Sequence, residues 1–169
     1  MGFFDKLRGK DRGGASAVKD GKVLAPVSGD VIPLEEFPDA VFSQGILGPG
    51  CGILPAGDTV VSPFDGTVTQ LTDTMHAIGV TSAGGVEVLI HVGVDTVDMA
   101  GSGFRSLVKQ GQKLHTGDRL IQFDREAIRA AGHADAVAIV VTNSDEFSAV
   151  ELKGTGTVAA GEPVLEAVK

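Results

Sequence analysis

Short runs of alternating hydrophobic and polar residues recur along the chain, and turn-forming residues separate them. In the clearest run, from Val86 to Val92, four aliphatic residues share one face while Glu87, Leu89 and His91 share the other. The 24 glycines and 7 prolines among 169 residues indicate many tight turns. The pattern therefore predicts an all-β fold, an antiparallel β-sandwich with a barrel-like form.

Two sequence signatures are repeated, which predicts pseudo-symmetric hairpins. The segment 25–31, APVSGDV, is similar to the segment 62–68, SPFDGTV, and each predicts a strand, a glycine turn and a second strand. The second signature is a glycine, an acidic residue, any residue and then two aliphatic residues. It begins at Gly57, Gly117 and Gly161. Only short helices are predicted, at 102–110 and at 124–131; the second has an Asp cap and ends before a glycine.

The first twenty residues differ from the rest of the chain. Phe3, Phe4 and Leu7 fall on one helical stripe among basic residues, which predicts either an amphipathic helix that touches a membrane or a frayed terminus. We therefore expect residues 1–20 to form a flexible N-terminal segment and residues 21–169 to form a single domain.

Composition limits the classes of function. The net charge of −8 makes nucleic acid an unexpected partner. Cys51 is the only cysteine, so an intramolecular disulfide and a cysteine-based zinc site are both excluded, and a reducing compartment such as the cytoplasm is favoured. No apolar run of membrane-spanning length occurs in the sequence, and its first residues lack the pattern of a signal peptide, so we expect neither a membrane span nor secretion.

Two histidines flank a predicted hairpin. If Ala83 and Gly84 form a two-residue loop, Ile78 lies opposite Leu89 and His76 lies opposite His91. Cross-strand neighbours have Cβ atoms about 4.5–5.5 Å apart, so the two imidazoles would be adjacent near the surface.

An adjacent imidazole pair suits either phosphoryl transfer or metal binding. Neutral imidazole is a nucleophile at cellular pH, and the Thr74 hydroxyl could orient the His76 ring. Metal binding would require more ligands than the two histidines, and Asp95 is the nearest further candidate. No nucleotide-binding loop or zinc-peptidase signature is present, and the other histidines, His115 and His133, are expected to be solvated surface residues.

The segment 86–97, VEVLIHVGVDTV, closely resembles the active-site signature of glucose-class enzyme IIA of the bacterial phosphoenolpyruvate-dependent sugar phosphotransferase system. The resemblance extends through the segments 25–29, 38–42, 63–68, 74–77 and 161–164, and it covers residues 22–169. Departures at Met75, Leu89 and Val92 bear on partner preference and leave the histidine chemistry unchanged.

The resemblance implies a phosphocarrier. His91 would accept a phosphoryl group on its tele nitrogen from the phosphohistidine of HPr and pass it to a cysteine in the IIB domain of a IIB/IIC sugar permease of the glucose or N-acetylglucosamine class. His76 would stabilise the phosphoryl group and Thr74 would orient His76, while Asp39 and Asp95 would receive an arginine of HPr. The hydrophobic docking patch would consist of Val41, Phe42, Ile46, Leu47, Ile78, Leu89 and Val97.

The resemblance also implies that no cofactor is required, although His76 and His91 could share zinc with a partner's carboxylate. It further implies a regulatory role that depends on phosphorylation state, with transporters or glycerol kinase as targets. Two other classes remain. A lipoyl or biotinyl carrier domain would need a lysine at a hairpin tip, and none lies between Lys22 and Lys109; a zinc endopeptidase would need a second histidine at position 93, which is Gly93.

Overall fold

The computed structural model describes residues 21–169, which form fourteen strands and five short helical segments. The strands are β1 Lys22–Leu24, β2 Gly29–Pro33, β3 Gly50–Pro55, β4 Thr59–Val61, β5 Gly66–Leu71, β6 Ala77–Ser82, β7 Glu87–Val92, β8 Phe104–Ser106, β9 Lys113–Leu114, β10 Arg119–Phe123, β11 Val137–Val141, β12 Ala149–Leu152, β13 Gly156–Val158 and β14 Pro163–Val168. The α-helices are α1 Ala40–Ser43 and α2 Arg125–Ala130, and the 3-10 helices are η1 Leu34–Glu36, η2 Thr96–Met99 and η3 Ser144–Glu146. None of the helices in this range is long and apolar enough to cross a membrane.

The strands form an antiparallel β-sandwich, which confirms the predicted fold class. An eight-stranded sheet has the order β13-β2-β3-β11-β7-β6-β5-β9, and two three-stranded sheets have the orders β1-β14-β12 and β4-β10-β8. Neighbouring strands pair antiparallel throughout. His91 lies on β7 in the middle of the large sheet, and His76 immediately precedes β6, the neighbouring strand.

The two repeated sequence blocks contact each other symmetrically. Leu24 N–H donates to the Pro63 carbonyl at 3.1 Å, and Val61 N–H, at the equivalent position of the second block, donates to the Pro26 carbonyl at 2.8 Å. The glycine-acid turns take part in the same way, since Gly161 N–H donates to the Ala25 carbonyl and Gly117 N–H donates to that of Ser62. The sequence repeats are thus repeats of structure, as predicted.

Strand β11 is buried on both faces. Val137, Ile139 and Val141 belong to the main core between the sheets, whereas Ala138 and Val140 belong to a smaller cluster on the opposite face. The buried members of this small cluster are Leu34, Phe37, Phe42, Ala136, Ala138 and Val140. Because η1 and α1 supply its aromatic residues, this part of the chain covers the outer face of the sheet beside the site.

The predicted register of the β6–β7 hairpin is wrong by one residue. Thr81 lies opposite Glu87 and Ala77 lies opposite His91, because the loop contains three residues rather than two. Gly85 adopts a left-handed φ of 93°, which a three-residue hairpin loop requires. The Asn143 side chain fixes this loop by accepting from Glu87 N–H and donating to the Gly85 carbonyl.

Of the two predicted helices, one forms. Asp124 caps α2 by accepting from Ala127 N–H at 3.1 Å, and the helix ends before Gly132. The segment 102–110 is not a helix, because Gly103 has a φ of 85° and the chain then enters β8. The predicted N-terminal amphipathic helix lies outside the described residues.

Candidate functional site

The two predicted site histidines are in contact despite the different register. Their ring centroids lie 4.9 Å apart at an interplanar angle of 83°. His91 is on β7, whereas His76 immediately precedes β6, and the His76 carbonyl accepts a hydrogen bond from Val92 N–H. Because Met75 has a left-handed φ of 61°, the chain turns just before His76, and the side-chain alternation of a strand does not govern that position.

Thr74 contacts His76 as predicted from the resemblance. Its Oγ1 lies 2.5 Å from Nδ1 of the His76 ring. When this hydroxyl donates to Nδ1, the imidazole proton resides on Nε2, which then faces away from the threonine as a hydrogen-bond donor. His76 is 7% exposed, so the ring is held in a defined orientation.

His91 is half-buried because two aromatic rings pack against it. The Phe42 ring packs against His91 with centroids 5.0 Å apart, and Phe37 packs edge-on against Phe42 at 5.3 Å. Together with His76, these side chains form a row of four rings. The row removes water from one side of His91 and leaves the remaining part of that ring accessible.

Burial and His76 together keep His91 neutral. Desolvation is the largest cause that lowers the pKa of His91, and the neighbouring His76 adds to it, so the pKa falls to about 4. The Gly93 backbone, Asp39 and Asp95 act in the opposite direction. Desolvation also lowers the pKa of His76. Both rings are therefore unprotonated nucleophiles or hydrogen-bond partners near neutral pH.

The two nitrogens of His91 differ in their surroundings. Nδ1 is buried and makes no hydrogen bond of good geometry, although the Gly93 backbone is close enough to affect the pKa of the ring. Since the residue as a whole is partly exposed, its accessible edge is the one that carries Nε2. The arrangement favours a proton on Nδ1 and a free lone pair on Nε2.

Three of the predicted docking residues are exposed apolar side chains: Val41 at 43%, Ile46 at 66% and Val97 at 52%. Leu47 and Leu89 are half-buried and pack against the small cluster. These five residues form what we call the apolar patch, which consists of Val41, Ile46, Leu47, Leu89 and Val97.

Two other residues predicted for the docking surface are buried. Ile78 is fully buried in the main core and Phe42 is 3% exposed, so the prediction that they form part of this surface is wrong. Ile78 lies opposite Ile90, and the one-residue change of register moves its side chain from the outer face to the core face. Phe42 instead belongs to the small cluster, and its ring packs against the His91 ring.

The two predicted acidic residues border the site. Asp39 is the N-cap of α1, and its carboxylate accepts from Val41 N–H at 2.9 Å. Asp95 is exposed and has a left-handed φ of 59°, at the start of η2. Both carboxylates act on the pKa of His91, which places their negative charge near the ring.

Metal binding would require a donor from outside this part of the chain. Within residues 21–169, no group of three or more His, Cys, Asp or Glu side chains is placed to hold a metal ion. The neutral imidazoles of His76 and His91 could supply two nitrogen ligands, fewer than a structural zinc site needs. His115 lies in an exposed turn and His133 is half-buried.

The paired histidines do not line the best-formed cavity of the part of the chain that the structure describes. A cavity of about 740 Å³ lies elsewhere, lined by α2, β8 and β10 residues that include Arg105, Arg125 and Arg129. It contains neither His76 nor His91. An exposed apolar patch beside the histidine pair suits a protein partner better than a small molecule.

Sequence reasoning missed two features of the site. Thr72 closes the turn before His76: its Oγ1 donates to the Ala77 carbonyl at 3.2 Å and accepts from Ala77 N–H at 3.3 Å. The left-handed backbone of Met75 was also missed, because methionine, unlike glycine or asparagine, gives no local signal for that conformation.

The fold and the site define an antiparallel β-sandwich protein with a pair of neutral histidines beside an apolar surface. The sequence profile of the family described as phosphoenolpyruvate-dependent sugar phosphotransferase system, EIIA 1, matches residues 21–147. The chain belongs to this family, and it is therefore a phosphotransferase component of a sugar transport system.

Relatives of known name agree with this assignment. A glucose-specific EIIA component of Haemophilus influenzae is 37% identical over 100% of this chain and 99% of its own length. A beta-glucoside-specific EIIBCA component of Dickeya chrysanthemi is 43% identical over 91% of this chain, which corresponds to 24% of that protein. The solved structure of glucose permease IIA from Mycoplasma capricolum has a TM-score of 0.75 and 33% identity, covering 85% of this chain and 93% of that one.

Proposed function

We propose that His91 is the phosphoryl acceptor of a relay, receiving the group from the phosphohistidine of HPr and passing it to a cysteine in the IIB domain of a sugar permease. The contact between the His91 and His76 rings, in a family of phosphotransferase components, is the observation that carries this proposal. Both rings are neutral near pH 7, as a nucleophile and its hydrogen-bonding neighbour must be.

Acceptance of the phosphoryl group requires no metal or nucleotide. The Nε2 lone pair of His91 attacks phosphorus, the new N–P bond forms, and the N–P bond to the HPr histidine breaks. The electron pair of that bond returns to the HPr imidazole, so no net proton transfer is needed. Throughout the step, the buried Nδ1 of His91 retains its proton. Catalysis then consists of positioning and electrostatic stabilisation.

His76 acts as a donor to the transferred group. With Thr74 hydrogen-bonded to Nδ1 of His76, the Nε2–H of that ring points to the space beside His91, where it stabilises the negative oxygens of the phosphoryl group. This stabilisation matters most during delivery, when the N–P bond of His91 breaks and a cysteine thiolate of the IIB domain forms the S–P bond. Thr74 is thus a positioning residue for His76.

The surroundings of His91 suit successive protein partners. The apolar patch provides the contact area, and Asp39 and Asp95 provide negative charge for an arginine of HPr. The relatives that join EIIA to EIIB and EIIC in one chain support a IIB/IIC permease as the acceptor.

The sugar is a separate question. Identity is 43% to beta-glucoside-specific proteins and 37% to a glucose-specific one, so overall similarity does not select the permease. We propose the glucose or N-acetylglucosamine class, with a regulatory role set by phosphorylation state toward transporters or glycerol kinase. We expect the relay to run in the cytoplasm, and zinc binding between the two histidines and a partner's carboxylate stays a prediction.

Intact-mass measurement after incubation with phosphoenolpyruvate, enzyme I and HPr tests the relay. Wild type should gain one acid-labile phosphoryl group, and His91→Gln should gain none. His76→Gln should gain the group but deliver it poorly to purified IIB domains of the candidate permeases. His115→Gln, which removes an exposed histidine outside the site, is the matched control and should behave as wild type.

Each contrary result has a definite meaning. Phosphorylation of folded His91→Gln at the wild-type level would place the acceptor on another residue. Absence of uptake by folded wild type would refute the phosphocarrier function. Equal delivery by His76→Gln and wild type would remove His76 from the mechanism while leaving His91 as the acceptor.

A further inference from the structure

Backbone hydrogen bonds close the turn that carries Thr74 and His76, and Met75 within this turn has a strained backbone. Met75 N–H donates to the Thr72 carbonyl at 3.0 Å, and Thr72 N–H donates to the Ala77 carbonyl at 3.3 Å. Met75 lies between the two site residues with a left-handed φ of 61°. A methionine adopts this conformation only when its surroundings hold it there.

Backbone strain is concentrated around the site. In residues 21–169, the non-glycine residues with positive φ are Met75, Asp95 and Ala100. Asp95 and Ala100 are the residues on either side of η2, which carries Val97 of the apolar patch. All three strained positions therefore belong to two segments, the turn before His76 and the segment 95–100 around η2.

The Met75 side chain connects these two segments. Met75 is half-buried and packs against the main core. The Met75 Cε lies near Gly101. A Cβ added to Gly101 would be 3.4 Å from this Cε, at ordinary contact distance, and 3.9 Å from the Thr74 carbonyl oxygen. The thioether thus fills the space between the core, the turn before His76 and the segment that follows η2.

We propose that Met75 is a positioning residue for delivery of the phosphoryl group, an inference that rests on the proposed function. Its packing against the core and Gly101 fixes the position of the whole turn, and the fixed turn brings Thr74 Oγ1 to 2.5 Å from His76 Nδ1. Without this packing, the turn is no longer fixed whatever the φ preference of residue 75, so Thr74 no longer orients His76 and the His76 Nε2–H is no longer aimed at the phosphoryl group.

Met75 belongs to the turn before His76, so loss of its side chain should act on His76 rather than on His91. Acceptance from HPr depends on the His91 nucleophile itself, whose ring packs against Phe42 and His76. The two half-reactions should therefore respond differently to loss of the Met75 side chain.

The test compares three variants in single-turnover transfer. Met75→Ala removes the thioether and keeps the strain, Met75→Gly removes the thioether and relieves the strain, and Met75→Leu retains a side chain of similar volume. Misplacement of a catalytic group by about 1 Å can cost about a hundredfold in rate. We expect delivery from phosphorylated protein to a IIB domain to slow by about tenfold or more in Met75→Ala and Met75→Gly. Delivery by Met75→Leu should stay within about threefold of wild type.

A spectroscopic readout separates positioning from general stability. The ¹⁵N chemical shift of His76 Nδ1 reports whether that nitrogen accepts a hydrogen bond, and it should move in Met75→Ala and Met75→Gly but not in Met75→Leu. Acceptance from HPr should stay within about twofold of wild type in all three variants. Met75→Gly relieves the backbone strain, so it serves as the folded variant if Met75→Ala is unstable.

Two results distinguish failure of this inference from failure of the proposed function. If wild type is not phosphorylated, the relay itself is refuted. If wild type relays the group but Met75→Ala and Met75→Gly deliver it at the wild-type rate with an unchanged His76 Nδ1 signal, Met75 has no positioning role. Equal slowing of acceptance and delivery would also overturn the inference, because it would indicate a general disturbance of the site.

Discussion

The burial of His91 should make the stability of the protein depend on pH in a measurable way. Its pKa is about 4 in the folded protein, against an ordinary value of 6.5. Desolvation is the main cause, and His76 contributes. Since each pKa unit corresponds to about 1.4 kcal/mol, the difference amounts to about 3 kcal/mol between the two protonation states.

The sign follows from proton binding. Between pH 6.5 and pH 4, the unfolded chain binds a proton at His91 and the folded protein does not, so acid favours unfolding. The contribution of His91 is fully present above pH 6.5 and is lost as the pH falls through about 4. At pH 4.5, this linkage predicts a loss of about 2.5 kcal/mol relative to pH 7.5.

Urea denaturation at a series of pH values can isolate this effect. The free energy of unfolding should fall between pH 7.5 and pH 4.5 by about 2.5 kcal/mol more in wild type than in His91→Gln, in which no group titrates at that position. His115→Gln should follow wild type, because it removes an exposed histidine. An NMR titration of the His91 ring gives the pKa directly.

Parallel stability curves for wild type and His91→Gln, within about 0.5 kcal/mol, would refute the reasoning. So would an NMR pKa near 6.5 for His91. Either result would mean that water reaches the ring despite the packing of Phe42 and His76. The proposed nucleophile would then be partly protonated in mildly acidic conditions.

Three further predictions concern docking, a helix cap and the cysteine. Val97→Glu should slow acceptance from HPr by about tenfold, as expected for a central interface residue, whereas Leu152→Glu, at a similarly exposed residue on β12, should not. Asp124→Ala should lower the free energy of unfolding by about 1 kcal/mol in urea denaturation, and Asp124→Asn by much less, because Asn can also cap α2. Burial raises the pKa of Cys51 to about 12, so an alkylating reagent at pH 8 should label Cys51 only after unfolding, and fast labelling of native protein would contradict its burial.

Short-range patterns were sufficient to predict much of the fold. Alternation placed Val88, Ile90 and Val92 in the core, and the repeated glycine turns predicted hairpins that the structure contains. The register of the β6–β7 hairpin was not predictable in this way, because Asn143, distant in sequence, fixes the loop. A one-residue change of register is enough to exchange the exposed and buried faces of β6.

In the site too, short-range patterns predicted some features, and tertiary packing determined the others. The adjacency of His76 and His91 was predicted and is confirmed by the contact of their rings, although it arises from the turn at Met75 rather than from direct cross-strand pairing. The role of Phe42 could not be read from the sequence, since a hydrophobic residue on a short helix is equally compatible with a docking surface and with a cluster beneath it. Only the tertiary packing of α1 on β11 decides between them.

The small cluster beneath the apolar patch implies a difference in hydrogen exchange within one domain. Six buried residues hold η1 and α1 to the outer face of β11, whereas the main core anchors the other face of that strand. Amides of residues 34–47 should therefore exchange through local opening, at a lower free energy than amides of β11. Such an opening would uncover the Phe42 ring and admit water to His91. The rate at which residues 34–47 open would then limit the lifetime of a phosphoryl group on His91. A bound partner that keeps this segment packed on β11 would prolong that lifetime.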